Sequence, residues 1–175
     1  MPHHPDVVAS NPKRQVPVLV DGDLVVYDST LIFEYLEERV PEPALYPSEP
    51  AERARCRQQE AAADEIWFPH VWTLIEARVY GRSTDPSAVA SAKSALEELH
   101  RGFDRRLEGR DYFCGSFSVA DIGTFIMSYA AATLGAPVPE DLSRMRAWGK
   151  RVGARPAVRR VIDDMNEAAA RGLAA

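Results

Sequence analysis

Up to Val40 the apolar residues come in short β-rich runs, and beyond Pro50 they settle into helical spacing. Val16-Pro17-Val18-Leu19-Val20 and Leu24-Val25-Val26-Tyr27 are separated by Asp21-Gly22-Asp23. A short Asp-Gly loop between two such runs predicts an antiparallel hairpin. Asp28-Ser29 follows as a helix N-cap, after which Leu31, Ile32, Tyr35 and Leu36 fall on one face, with Glu34, Glu37 and Glu38 on the other. Pro41 stops that helix.

Residues 41–49 are punctuated by proline without any period, so they are expected to be a linker. One long helix is predicted from Pro50, a favoured first-turn proline, to about Gly81, kinked at Pro69. Another opens at Asp85-Pro86 and carries Ala92, Leu96, Leu99, Phe103 and Leu107 along one stripe before Gly109. A third starts at Ser118, where Ser118-x-x-Asp121 reads as a capping box and Phe117 as a staple to Ile122. Its Ile122, Phe125, Ile126 and Tyr129 are expected at the centre of the helical part. Two more helices are predicted at about 140–153 and 156–170. The pattern therefore predicts an α+β chain, with a hairpin-plus-helix unit at 1–45 and an all-helical domain at 46–175.

Composition narrows the function classes. Of 175 residues, 46% are hydrophobic and 27% charged, which supports a packed core and excludes disordered and collagen-like chains. Residues 1–49 hold nine acids against three bases, while the remainder holds seventeen against eighteen, so bulk charge does not suggest a nucleic-acid binder. Seven bases between Leu142 and Ile162 are interrupted by Met145, Trp148, Val152 and Val158 at helical spacing, and read as solvated faces of two amphipathic helices. No apolar run approaches the ~18 residues of a membrane span, and no export signal is seen, so a cytoplasmic location without membrane association is expected. Cys56 and Cys114 show no metal-ligand spacing and read as two reduced thiols. His3 and His4 read as part of an exposed N-terminus rather than a metal site.

Three separated motifs carry a family resemblance. Gln15-Val16-Pro17-Val18-Leu19 with Asp28-Ser29 at the following strand-to-helix junction resembles the glutathione-binding half of the glutathione transferase superfamily. Phe113-Cys114-Gly115-Ser116-Phe117-Ser118-Val119-Ala120-Asp121-Ile122 resembles the start of that family's core helix, and Ala154-Arg155-Pro156-Ala157 its C-terminal junction. The resemblance implies a partial thioredoxin-like N-terminal half and an all-α C-terminal domain. It implies a cis peptide bond before Pro17, and a Val16 backbone that pairs with the cysteinyl backbone of glutathione. Ser29, at a helix N-terminus that attracts anions, would take the γ-glutamyl carboxylate. Asp28 would face the ammonium and Gln15 the glycyl carboxylate. Read alone, Asp28-Ser29 is a plain N-cap, and it is the spacing from Val16-Pro17 that turns the reading toward a ligand site.

The same resemblance implies glutathione as co-substrate, a small electrophile and a homodimer. Trp67, Phe68, His70, Val71, Trp72 and Tyr80 would then line either a ligand wall or a core and interface helix. The family's thiol-activating Ser, Tyr or Cys follows a strand for which the residues before Asn11-Pro12 leave no room. Ser10, Tyr27 and Cys56 do not occupy its place, so no catalytic residue is assigned and a shortened N-terminus is expected. A second reading is a non-catalytic regulatory protein of this fold, similar to the bacterial stringent starvation protein A that associates with RNA polymerase. A third is a dimerisation module.

Overall fold

The computed structural model describes residues 4–82 and 85–171. His3 lies outside the described residues, whereas His4 is exposed and caps a short helix, α1 (Pro5–Ser10), that the sequence pattern did not signal. The predicted hairpin follows as β1 (Val18–Asp21) and β2 (Leu24–Tyr27), antiparallel, with Val18 opposite Tyr27 and Asp21 opposite Leu24. Gly22 turns the loop with φ 59°, a conformation that L side chains rarely adopt. Helix α2 (Ser29–Arg39) begins at once, its cap Asp28 accepting from Thr30 N–H.

The long predicted helix is three segments. These are α3 (Pro50–Ala62), a π-helical stretch (Ala63–Trp67) and α4 (Phe68–Arg78). Pro69 lacks the N–H that would continue the α ladder, and the chain accommodates this by widening the turn before it rather than by a bend alone. Next come α5 (Pro86–Arg106), α6 (Val119–Thr133), α7 (Ser143–Gly153) and α8 (Pro156–Ala170). Helix α7 begins later than predicted because Pro139–Leu142 form a turn.

An aromatic chain runs through the helical core: Trp67 meets Phe103 at 5.1 Å, Phe103 meets Phe113 at 5.5 Å and Phe113 meets Trp148 at 5.1 Å. Asp121 fixes the far end. As the third residue of α6 it completes the capping box with Ser118, and it also accepts from Phe113 N–H at 3.2 Å and Trp148 Nε1–H at 2.8 Å. The buried face of α6 is not the expected one. Gly123, Thr124, Ser128 and Ala131 point inward, while Ile122, Phe125, Ile126 and Tyr129 are only partly buried. The reason is closeness: a Cβ on Gly123 would stand 3.3 Å from the Ala63 Cβ, so the α3 side of α6 has room only for small residues. Phe117 packs on Tyr112 and lies 3.6 Å below the Arg155 guanidinium.

Helix α2 also departs from the pattern. Leu31 and Leu36 are exposed and Ile32 is buried, because α2 docks on α3 through a polar ladder rather than an apolar stripe. Ser29 meets Asp64, Thr30 meets Glu60, Glu34 meets Arg57 at 2.7 Å and Glu37 faces Arg53. Glu37 also accepts from the N–H groups of Leu45 and Tyr46, and Leu45 C=O accepts from Val119 N–H. The linker is thereby tied to the start of α6.

Candidate functional site

The chain segment that enters β1 is shaped by Asn11. Its side chain is almost fully buried, donates to Gln15 C=O at 2.7 Å and accepts from Lys13 N–H at 2.8 Å. This small knot holds residues 11–15 as a turn, with Arg14 at φ 55°. The bond between Val16 and Pro17 is cis. Val16 follows from the turn onto open surface and is 76% exposed. Gln15 is exposed as well, and its carbonyl accepts from Asn11.

Asp28 has φ 84°, a strained conformation for a non-glycine residue, and it sends its carboxylate to Thr30 N–H at 3.1 Å. Lys13 Nζ lies 3.9 Å from the same carboxylate. Ser29, the first residue of α2, donates from Oγ to Asp64 Oδ2 at 3.3 Å. All five residues named from the sequence thus lie along the entry to β1 and the start of α2. Asp64 and Glu60 were not visible in the sequence as members of this group. They lie on the π stretch and on α3, respectively, far along the chain, and no local spacing connects them to Ser29.

Glu60 is 3% exposed and its carboxyl is pushed above the usual range, by burial first and then by the nearby Asp64, Asp28 and Glu34, against the hydrogen bond from Thr30. Together Asp28, Asp64 and Glu60 make an acidic wall beside the positive end of the α2 dipole. That pairing of an anion-attracting helix start with carboxylates suits the carboxylate and ammonium of an α-amino acid group.

Two concavities elsewhere share no residue with this ledge. One of about 210 Å³ lies between Phe125, Val138 and Trp148. The other, of about 400 Å³, lies between α3 and the α5–α6 loop and includes Cys114. Of the residues expected on a ligand wall or core helix, Trp67 and Val71 are core, whereas Phe68 and Trp72 are exposed with rings 5.8 Å apart and Trp72 is 5.9 Å from Tyr80. Of the seven clustered bases, Arg144 pairs with Asp104 at 3.0 Å and Arg151 with Asp111 at 2.8 Å. Among the described residues no helix is long and apolar enough to cross a membrane, and no group of metal-ligating side chains is gathered.

Comparison with known proteins gives the following. Residues 1–44 match the family described as glutathione S-transferase, N-terminal domain. The crystal structure of the theta class glutathione S-transferase from Xanthomonas axonopodis pv. citri with glutathione bound is 32% identical, with a TM-score of 0.79, covering 90% of this chain and 76% of that one. Glutathione S-transferase 2 of Saccharomyces cerevisiae is 29% identical over 91% of this chain and 72% of its own. The stringent starvation protein A homolog of Haemophilus influenzae is 37% identical over 94 residues, 54% of this chain, and the match spans 42% of that relative's length.

Proposed function

The chain belongs to the glutathione S-transferase superfamily, and from that premise we propose that its N-terminal unit, residues 1–45, holds glutathione for use with a small electrophile. The observation that carries this reading is an exposed Val16 ahead of a cis bond to Pro17, followed one hairpin later by the start of α2 at Ser29. Val16 N–H and C=O pair with the cysteinyl backbone of the tripeptide. Ser29 Oγ and the free N–H groups at the start of α2 take the γ-glutamyl carboxylate, and the Asp28 carboxylate takes the ammonium. Gln15 extends toward the glycyl carboxylate. The helical domain, residues 46–175, supports the ledge through the polar ladder between α2 and α3.

The second reading is a regulatory protein of the same fold. It is favoured by the 37% identity to a stringent starvation protein A homolog, and its partner would be RNA polymerase rather than an electrophile. Calorimetric titration of the purified chain with glutathione decides between them. Saturable binding that is lost in Ser29→Ala supports the first. Absence of binding, together with retention of RNA polymerase on the immobilised chain, supports the second and removes the first.

A further inference from the structure

The larger cleft, of about 400 Å³ between α3 and the α5–α6 loop, is remote from the glutathione ledge and carries an unbalanced charge. Arg55, Arg105, Arg106 and Arg110 face it against Glu52 and Glu108. Both acids are already matched: Glu52 pairs with Arg55, and Glu108 with Arg144 of α7 at 3.5 Å. Arg105, Arg106 and Arg110 remain, and among the described residues none of the three forms an ion pair. The C-terminal end of α5 offsets about half a charge, which leaves a surplus of roughly two positive charges on the cleft.

These cations are held in place as well as gathered. Arg106 donates to the side-chain oxygen of Gln59, and Gln59, itself 8% exposed, donates to the buried Thr124 hydroxyl at 3.4 Å. The Arg106 guanidinium also lies 4.9 Å over the Phe103 ring. Arg110 donates to the Phe113 carbonyl at 3.4 Å. In both cases a neutral oxygen fixes the direction of the guanidinium and leaves its charge uncompensated. Arg105, Arg106 and Arg110 repel one another, and the acid between them, Glu108, is engaged by Arg144. An anion in the cleft relieves that repulsion.

We propose that this cleft is a binding site for a small molecule bearing a diphosphate group, with Arg105, Arg106 and Arg110 gripping the phosphoryl oxygens. A carboxylate presents two oxygens and satisfies one guanidinium fork. Three forks call for an anion with more oxygens and more than one negative charge, and a diphosphate meets both conditions. The cleft volume falls within the range of small-molecule sites, about 300–1,000 Å³, and exceeds what a bare diphosphate fills. Room for an organic group is therefore left beside Phe113, which lines the same cleft.

The test is calorimetric titration of the full chain with inorganic pyrophosphate, ADP and inorganic phosphate, at fixed ionic strength and without divalent cations. Pyrophosphate and ADP should each saturate one site per chain, and phosphate should bind about tenfold more weakly, since one phosphoryl group cannot span three guanidiniums. Tighter binding of ADP than of pyrophosphate assigns the occupant as a diphosphate ester, and the reverse as the free anion. Arg105→Ala/Arg110→Ala should weaken pyrophosphate binding about a hundredfold. Arg106→Lys keeps the charge but loses the fork, and should weaken it about tenfold. Both variants are checked for fold by circular dichroism, and the lysine variant decides the matter if the alanine variant unfolds. Ser29→Ala should bind pyrophosphate with the wild-type constant whatever becomes of glutathione, so the two sites are judged separately. Absence of saturable pyrophosphate binding up to about 10 mM overturns the proposal. Equal affinity for phosphate and pyrophosphate, or an Arg106→Lys chain that binds as the wild type does, also overturns it by reducing the cleft to a diffuse positive field. A single-stranded oligonucleotide that displaces pyrophosphate at lower phosphate concentration would overturn it in favour of a nucleic-acid surface.

Discussion

Ser29, Glu60 and His100 each set how this chain responds to changing conditions. Ser29 is the first: glutathione at ten times its Kd should stabilise the fold by ~1.4 kcal/mol through mass action, seen as a rise in melting temperature. Ser29→Ala should erase that rise while leaving α2 capped by Asp28, and an unchanged shift would place the ligand elsewhere. Glu60 is the second. Its folded-state carboxyl titrates above the unfolded value of 4.5, so the native state holds the proton more tightly, and stability falls as pH climbs from there through the raised value. Glu60→Gln, which keeps an acceptor for Thr30, should therefore raise the melting temperature more at pH 8 than at pH 5. His100 works in the opposite direction. It is fully buried between Trp67, at 4.8 Å, and Ser128 Oγ, at 3.0 Å, and burial lowers its pKa from 6.5 to about 4. The stability of the neutral ring is complete above pH 6.5 and is lost as pH falls toward 4. His100→Gln should flatten that acid limb of a denaturation profile by a few kcal/mol, on the order of 1.4 kcal/mol per pH unit.

Among the elements, α6 depends most on a single side chain. Ser118→Ala removes half of the capping box and should cost about 1 kcal/mol in urea denaturation. Asp121→Ala leaves the N–H groups of Phe113, Ser118 and Trp148 unpaired in the core, and should cost about 3–5 kcal/mol. Equal losses for the two variants would contradict the assignment of Asp121 as the hub. Capping signals of this kind were legible in the sequence, as were the hairpin, because Asp21-Gly22-Asp23 admits few other turns, and the α5 stripe, because its residues all pack on one side. The inward face of α6 was not legible. Side-chain size there is decided by how closely α3 approaches, which no helical period encodes. The α2 face misled for a related reason: Glu34 and Glu37 look solvent-facing until Arg57 and Arg53 of a distant helix meet them. The ledge was half legible. Val16, Pro17, Asp28 and Ser29 are bound together by local spacing, but Asp64 and Glu60 arrive through the tertiary fold alone. Helix α1 was missed because six residues carry too little pattern to register.

The whole molecule presents Phe68, Trp72 and Val79 on the outer side of α4, an apolar surface suited to a two-fold contact. A homodimer is the proposed assembly, and light scattering at micromolar concentration should give twice the chain mass. Trp72→Arg should reduce it to the monomer with little loss of fold, because Trp72 is 38% exposed. That this side is available at all depends on the π stretch at Ala63–Trp67. A π turn carries one residue more than the α turn it replaces, so it acts as a phase shift in the helix. Deleting one residue there would leave α4 in register, because the α turn that replaces the π turn needs one residue fewer. Winding the intact sequence as continuous α-helix would instead bring Ile66, His70 and Thr73 to where Trp67, Val71 and Leu74 now pack. The extra residue in the turn thus keeps the inside of the helix inside, and a chain wound without it would read as the same sequence with its core turned toward water.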